Sequence, residues 1–248
     1  MSTIRFHEME DGRRIAFRFA LGVEDLDARP ALVFLPGYMS DMDGGKATAA
    51  MQWAQQNGRS CLLLDYSGCG SSSGEFSDGS LSRWCEEVLA LIDALEFNKV
   101  TLIGSSMGGW LMLLVGLALG DRLSGMIGIA AAPDFSDWGF TNEQKAALSG
   151  GETIFEDNPY GPEPTPTYAL FWKDAETHRL LESEIALDCP IRLIHGQRDE
   201  DVPWETSMKL AKAIRSDDVQ LSLVKDGDHR LSRDGDIALL LRTIASLG

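Results

Sequence analysis

Basic charge and histidine are scarce in this chain, and long apolar runs are missing. Its 248 residues carry 22 Lys and Arg against 38 Asp and Glu, a formal charge of −16. A field of that sign repels phosphate backbones, which argues against nucleic acid as a partner. The four cysteines, Cys61, Cys69, Cys85 and Cys189, form no C-x-x-C pair, and the four histidines are not spaced as zinc partners. Free thiols and no metal are expected. No apolar run approaches the ~18 residues of a membrane span, so no stable membrane insertion is expected. The opening residues M-S-T-I-R-F-H-E-M-E-D-G lack a signal-type apolar stretch and the acid-poor, basic character of a transit peptide. From this the expected setting is cytoplasmic.

What is present is a regular alternation. Short apolar runs at 31–35 (A-L-V-F-L), 61–65 (C-L-L-L-D) and 99–103 (K-V-T-L-I) fit buried parallel strands. Strand character also marks 13–21, 124–130, 191–194 and 219–224. Between them lie helical patterns. Leu81, Trp84, Cys85, Val88, Leu89 and Ile92 follow the 3-4 spacing of an amphipathic helix. Helices are also predicted over 45–56, 107–119, 204–214 and 236–247. Strands alternating with helices predict an α/β fold with a mainly parallel sheet covered on both faces.

The rhythm breaks between Pro133 and Cys189, where no strand is predicted. A polar helical piece lies near 142–148, and N-P-Y-G-P-E-P-T-P-T-Y holds four of the nine prolines. Phe135, Trp138, Phe140, Phe155, Tyr160, Tyr168, Phe171 and Trp172 are too many aromatics for a solvated loop. The predicted organisation is a core of 1–133 and 186–248, with a lid or cap insertion at 134–185.

Gly104-Ser105-Ser106-Met107-Gly108 has the pattern G-x-S-x-G, after an apolar strand and before a helix. A tight strand-to-helix turn needs glycine two residues either side of the nucleophile. Ser106 has both; Ser105 would have Ile103 and Met107. Ser106 is therefore the candidate nucleophile and Ser105 a supporting polar residue. Its base should lie after the acid in the chain. His229, in the loop after the last strand, satisfies that order. His7, His178 and His195 do not fit as well, and His195 is expected to orient the acid's loop. H-G-Q-R-D-E-D-V-P-W offers Asp199 as the acid, with Asp201 as runner-up. Asp226 and Asp228 lie too close to His229 in sequence. Oxyanion donors are expected from the backbone amides of Met107 and of Tyr38, in F-L-P-G-Y-M-S-D-M-D. Trp138, Phe171 and Trp204 are candidates to line an acyl pocket.

Together these stretches resemble the α/β-hydrolase superfamily over essentially the whole chain. Within it, F-L-P-G-Y-M-S-D-M-D-G-G-K-A, D-Y-S-G-C-G-S-S-S-G, G-S-S-M-G-G-W-L-M-L, H-G-Q-R-D-E-D-V-P-W and the late D-H-R are similar to the mammalian mitochondrial palmitoyl-protein thioesterases, which are also acyl-glucuronide esterases. The resemblance implies serine-dependent hydrolysis of acyl thioesters or acyl esters, with Ser106, Asp199 and His229 as the triad. The expected partner is a small-molecule or acylated-protein substrate, and no cofactor is required. Carbon–carbon bond hydrolysis, peptidase activity and a non-catalytic ligand-binding role stay open as alternatives.

Overall fold

The computed structural model describes residues 3–22, 29–158 and 161–247. Its centre is an eight-stranded sheet, and the strand order follows from the alternation seen in the sequence. β1 (Arg5–Glu8) and β2 (Arg14–Ala20) form an antiparallel edge. β2 then pairs antiparallel with β4 (Cys61–Leu64). From there β3 (Ala31–Leu35), β5 (Val100–Ser105), β6 (Leu123–Ile129), β9 (Ile191–Gly196) and β10 (Val219–Val224) continue as parallel neighbours. The spatial order is β1-β2-β4-β3-β5-β6-β9-β10. β3 has β4 on one side and β5 on the other, so the chain order reverses there. Such a reversal opens a crevice at the carboxyl ends of the strands.

Strand side chains alternate between two cores. Val33, Leu35, Leu62, Leu64 and Leu102 face α2 (Leu81–Ala94) and α3 (Met107–Leu119). Leu32, Phe34, Leu63 and Ile103 face α1 (Gly45–Gln56) and α8 (Asp234–Ala245). α3 is apolar almost all round, and Trp110 through Leu113 have no exposed surface. A helix of that composition belongs inside the molecule. α7 (Glu205–Ala213) follows β9. Among the described residues no helix is long and apolar enough to cross a membrane.

Between β6 and β9 lie α4 (Phe135–Trp138), α5 (Asn142–Gly150), β7 (Ile154–Glu156), β8 (Thr165–Thr167) and α6 (Ala169–Glu176). The expectation of no strand in this segment is corrected: β7 and β8 form an antiparallel ribbon apart from the main sheet. Each strand has three residues, and one centres on Pro166, so neither shows a readable alternation. Tyr160 lies outside the described residues. The segment is tied down by its own polar contacts. Asp134 accepts from the amides of Leu180 (2.9 Å) and Leu181 (2.8 Å), and Trp172 Nε1 donates to the Ser136 carbonyl at 2.9 Å.

Candidate active site

The strongest local constraint sits at the end of β5. Ser106 has φ 54° and ψ −121°, a conformation that a non-glycine residue adopts only under constraint, at about 1–3 kcal/mol. The turn is closed by Ser106 N donating to the Ile129 carbonyl (2.9 Å), and by the amides of Gly109 (2.8 Å) and Ala132 (3.1 Å) donating to the Ser106 carbonyl. Two glycines permit it. A Cβ on Gly104 would lie 2.3 Å from the Gly108 carbonyl oxygen, and one on Gly108 2.2 Å from the Leu35 carbonyl oxygen. The side chain of Ser106 is thereby lifted out of the turn, while Ser105 is held buried at the end of β5.

The candidate base and the candidate acid arrive on neighbouring loops. Gln197 N donates to the Val224 carbonyl and Arg198 N to the Gly227 carbonyl, each at 2.8 Å, which stitches the loop after β9 to the loop after β10. His229 Nδ1 lies 2.9 Å from Asp199 Oδ2, and His229 Nε2 lies 3.0 Å from Ser106 Oγ. A carboxylate only accepts, so Nδ1 carries the proton and Nε2 is left to accept from the serine hydroxyl.

Asp199 is enclosed by donors. Besides His229, its Oδ2 accepts from His195 Nε2 at 3.1 Å, and its Oδ1 accepts from the amides of Asp201 (3.0 Å) and Val202 (2.8 Å). Burial works to raise this carboxyl, but the hydrogen bonds from His195 and His229 outweigh it. The group is held well below the ordinary carboxylate range. His195 is itself fixed, with Nε2 also on the Val202 carbonyl (3.1 Å) and Nδ1 on Ser207 Oγ (2.6 Å). It is thus held against Asp199, the candidate acid. Asp201 is exposed, and its amide donates to Asp199. Asp226 pairs with Arg233, and Asp228 accepts the Leu231 amide. Asp199, Asp201 and His229 also bring ligand-type atoms within 4.8 Å of one another. The Asp199 oxygens in that set are already engaged by the four N–H donors above.

The loop after β3 runs alongside because β3 and β5 are paired, Leu35 opposite Gly104. A Cβ on Gly37 would lie 3.4 Å from Ser106 Cβ, so the Gly37–Tyr38 backbone passes directly beside the serine. Met107 opens α3, where the first amides have no partner within the helix and carry its positive end. Both candidate amides therefore border Ser106. The loop is anchored from below by Asp65, unremarked in the sequence, whose carboxylate accepts from Met42 N (2.7 Å) and Ser71 N (2.8 Å). Its position as the last residue of the C-L-L-L-D run was the signal available.

The three pocket aromatics fare differently. Phe171 is a correction: it is 2% exposed and closed into an aromatic cluster, 4.9 Å from the Tyr38 ring and stacked on Phe135 at 5.7 Å. A ring that fills the joint between core and insertion is not free to line a cavity. Trp138 is half-buried, with Nε1 on the Pro133 carbonyl at 2.8 Å. Trp204 is half-buried at the start of α7. Two surface cavities, of about 830 and 440 Å³, are lined by residues such as Leu89 and Leu114 in the first and Leu181 and Lys212 in the second. Neither is lined by Ser106, His229 or these three aromatics.

A profile of the alpha/beta hydrolase family matches residues 32–236. The chain is 39% identical over 227 residues to the human mitochondrial palmitoyl-protein thioesterase ABHD10, covering 88% of this chain and 72% of that protein. Among solved structures, a putative hydrolase from Agrobacterium vitis superposes with a TM-score of 0.91 at 36% identity, covering 99% of both chains. The mouse alpha/beta hydrolase domain-containing protein 10 gives 0.90 at 34% identity, covering 99% of this chain and 98% of that one.

Proposed function

Because the chain belongs to the alpha/beta hydrolase family, we propose that it is a serine hydrolase acting on acyl thioesters or carboxylic acyl esters. The observation that carries this reading is the unbroken relay Asp199–His229–Ser106, with contacts of 2.9 and 3.0 Å. Ser106 attacks the acyl carbonyl while His229 Nε2 takes its proton. Asp199, held ionised by its donors, fixes the imidazole and stabilises the imidazolium that forms. The amides of Met107 and Tyr38 receive the charge that develops on the carbonyl oxygen. His229 then protonates the leaving thiolate or alkoxide. A water molecule, deprotonated by the same imidazole, clears the acyl-enzyme and regenerates Ser106.

Palmitoyl-protein thioesterase is the activity named for the human relative, and it supports a long-chain acyl thioester, on a protein or a small thiol, as the substrate class. In this reading residues 134–185 act as a lid over the acyl chain, and the exposed Phe155 and Leu170 present apolar surface to it. The test is turnover of acyl thioesters and oxygen esters graded from two to sixteen carbons. Thioester cleavage that improves with chain length is the expected result. Inertness to every member, with cleavage of a vinylogous diketone, would replace the reading with carbon–carbon bond hydrolysis.

A further inference from the structure

The oxyanion amide expected at Tyr38 needs only a backbone, yet the Tyr38 side chain is packed into the aromatic joint between core and insertion. It lies 4.9 Å from both Phe76 and Phe171 and about 6 Å from Trp84 and Phe135. Its hydroxyl donates to the Pro166 carbonyl at 3.0 Å, across 128 residues of chain. Pro166 stands in β8, opposite Phe155 of β7. The loop that carries the amide is under strain. Ser40 N closes a turn on the Gly37 carbonyl at 3.1 Å, and Met39 has φ 54°. A strained loop keeps one geometry only where its surroundings over-determine it. Beyond the turn, Asp65 supplies that constraint at Met42. Within it, the constraint is the Tyr38 phenol.

We infer that Tyr38 is a positioning residue: its hydroxyl, seated on the Pro166 carbonyl, holds the Tyr38 amide against the developing oxyanion and makes that geometry depend on the β7–β8 ribbon. The inference rests on the serine-hydrolase reading. Its consequence is that the oxyanion site is complete only while the ribbon is in place, so the insertion contributes to the chemical step as well as to substrate choice. Burial pushes the phenol far above its ordinary value, which keeps it a donor across the working pH range.

The experiment compares wild type and Tyr38→Phe. Tyr38→Phe keeps the ring and the amide and removes one oxygen. Three quantities are read: the rate at which a fluorophosphonate, whose P=O takes the oxyanion position, modifies Ser106; kcat and KM on a short acyl thioester; and melting temperature. Tyr38→Phe should slow phosphonylation and kcat together by about three- to tenfold, the size of one net hydrogen bond. KM should stay near wild type. A merely structural role would lower the melting temperature or raise KM while leaving kcat and phosphonylation untouched, and that result overturns the inference. If wild-type Ser106 itself fails to react, the serine-hydrolase reading falls and the inference with it; unchanged rates in Tyr38→Phe, with a reactive wild-type Ser106, overturn the inference alone.

Discussion

The ends of the parallel strands and the segment between β6 and β9 hold their functional groups by different means. At the strand ends the backbone does the placing. Ser106 is fixed by three main-chain hydrogen bonds and two close glycine contacts, and Asp199 by the amides of Asp201 and Val202 together with two imidazoles. In the intervening segment side chains do it: stacked aromatics, Trp172 on Ser136, and Ser82 Oγ shared between Asp174 (2.6 Å) and His178 (2.7 Å). Backbone placement tolerates little change, whereas side-chain placement can be rebuilt by substitution. One region is thus suited to a fixed reaction geometry, and the other, in the proposed reading, to adjustable selection of the acyl group.

The contrast is sharpest at the serine pair. Ser106→Ala should lower kcat on the order of 10⁶-fold with the melting temperature preserved, as expected when nucleophile and base act as a unit. Ser105→Ala should stay active; equal loss in both variants would move the nucleophile. Next in size, Asp199→Asn should lower kcat on the order of 10⁴-fold, because an amide can stabilise the wrong imidazole tautomer. Steady-state kinetics on one thioester reads both.

Across the divide the expected effect changes in kind. Phe171→Ala removes a buried ring from the joint and should cost about 3–5 kcal/mol of stability by denaturant unfolding. Its loss should shift chain-length preference more than the rate on a two-carbon acyl group. A variant as inactive on short substrates as Asp199→Asn would erase the distinction between the two regions.

The smallest effect concerns Lys46, on α1. Its amine reaches the Arg230 carbonyl, next to His229. Burial, with Arg230 nearby, lowers its pKa to about 8, against the opposing pull of Asp228 and Asp236. An unfolded lysine holds its proton up to about pH 10.4. Between those values the unfolded chain binds more protons, so this group makes stability rise with pH. Lys46→Met should flatten that rise between pH 8 and about 10, measured as the difference from wild type in urea midpoints. A parallel curve in the variant would show that the amine titrates alike in both states.

Much of the strand-end region was legible because its signals are local. G-S-S-M-G sits between an apolar run and a helical pattern, and Asp199 and His229 each follow a strand that could be read from composition. These three residues, named from motif order, come within hydrogen-bond distance of one another. The segment from 134 to 185 was less legible because its order comes from distant partners. Pro166 is organised by Tyr38, and Leu180 and Leu181 by Asp134. Phe171 read as a pocket residue because nothing in its neighbourhood announces that Tyr38, Trp84 and Phe135 close over it. β1 was missed for the same reason: four residues, mostly exposed, become a strand through pairing with β2.

The central claim is that His229 and Asp199 activate Ser106 as a nucleophile. The direct measurement is fluorophosphonate labelling of the folded protein, with the modified peptide located by mass spectrometry, in wild type and in His229→Ala. The account predicts a single adduct on Ser106 in wild type and its near-complete loss in His229→Ala with the fold intact. An adduct on another residue, or equal labelling of Ser106 in both proteins, would contradict it.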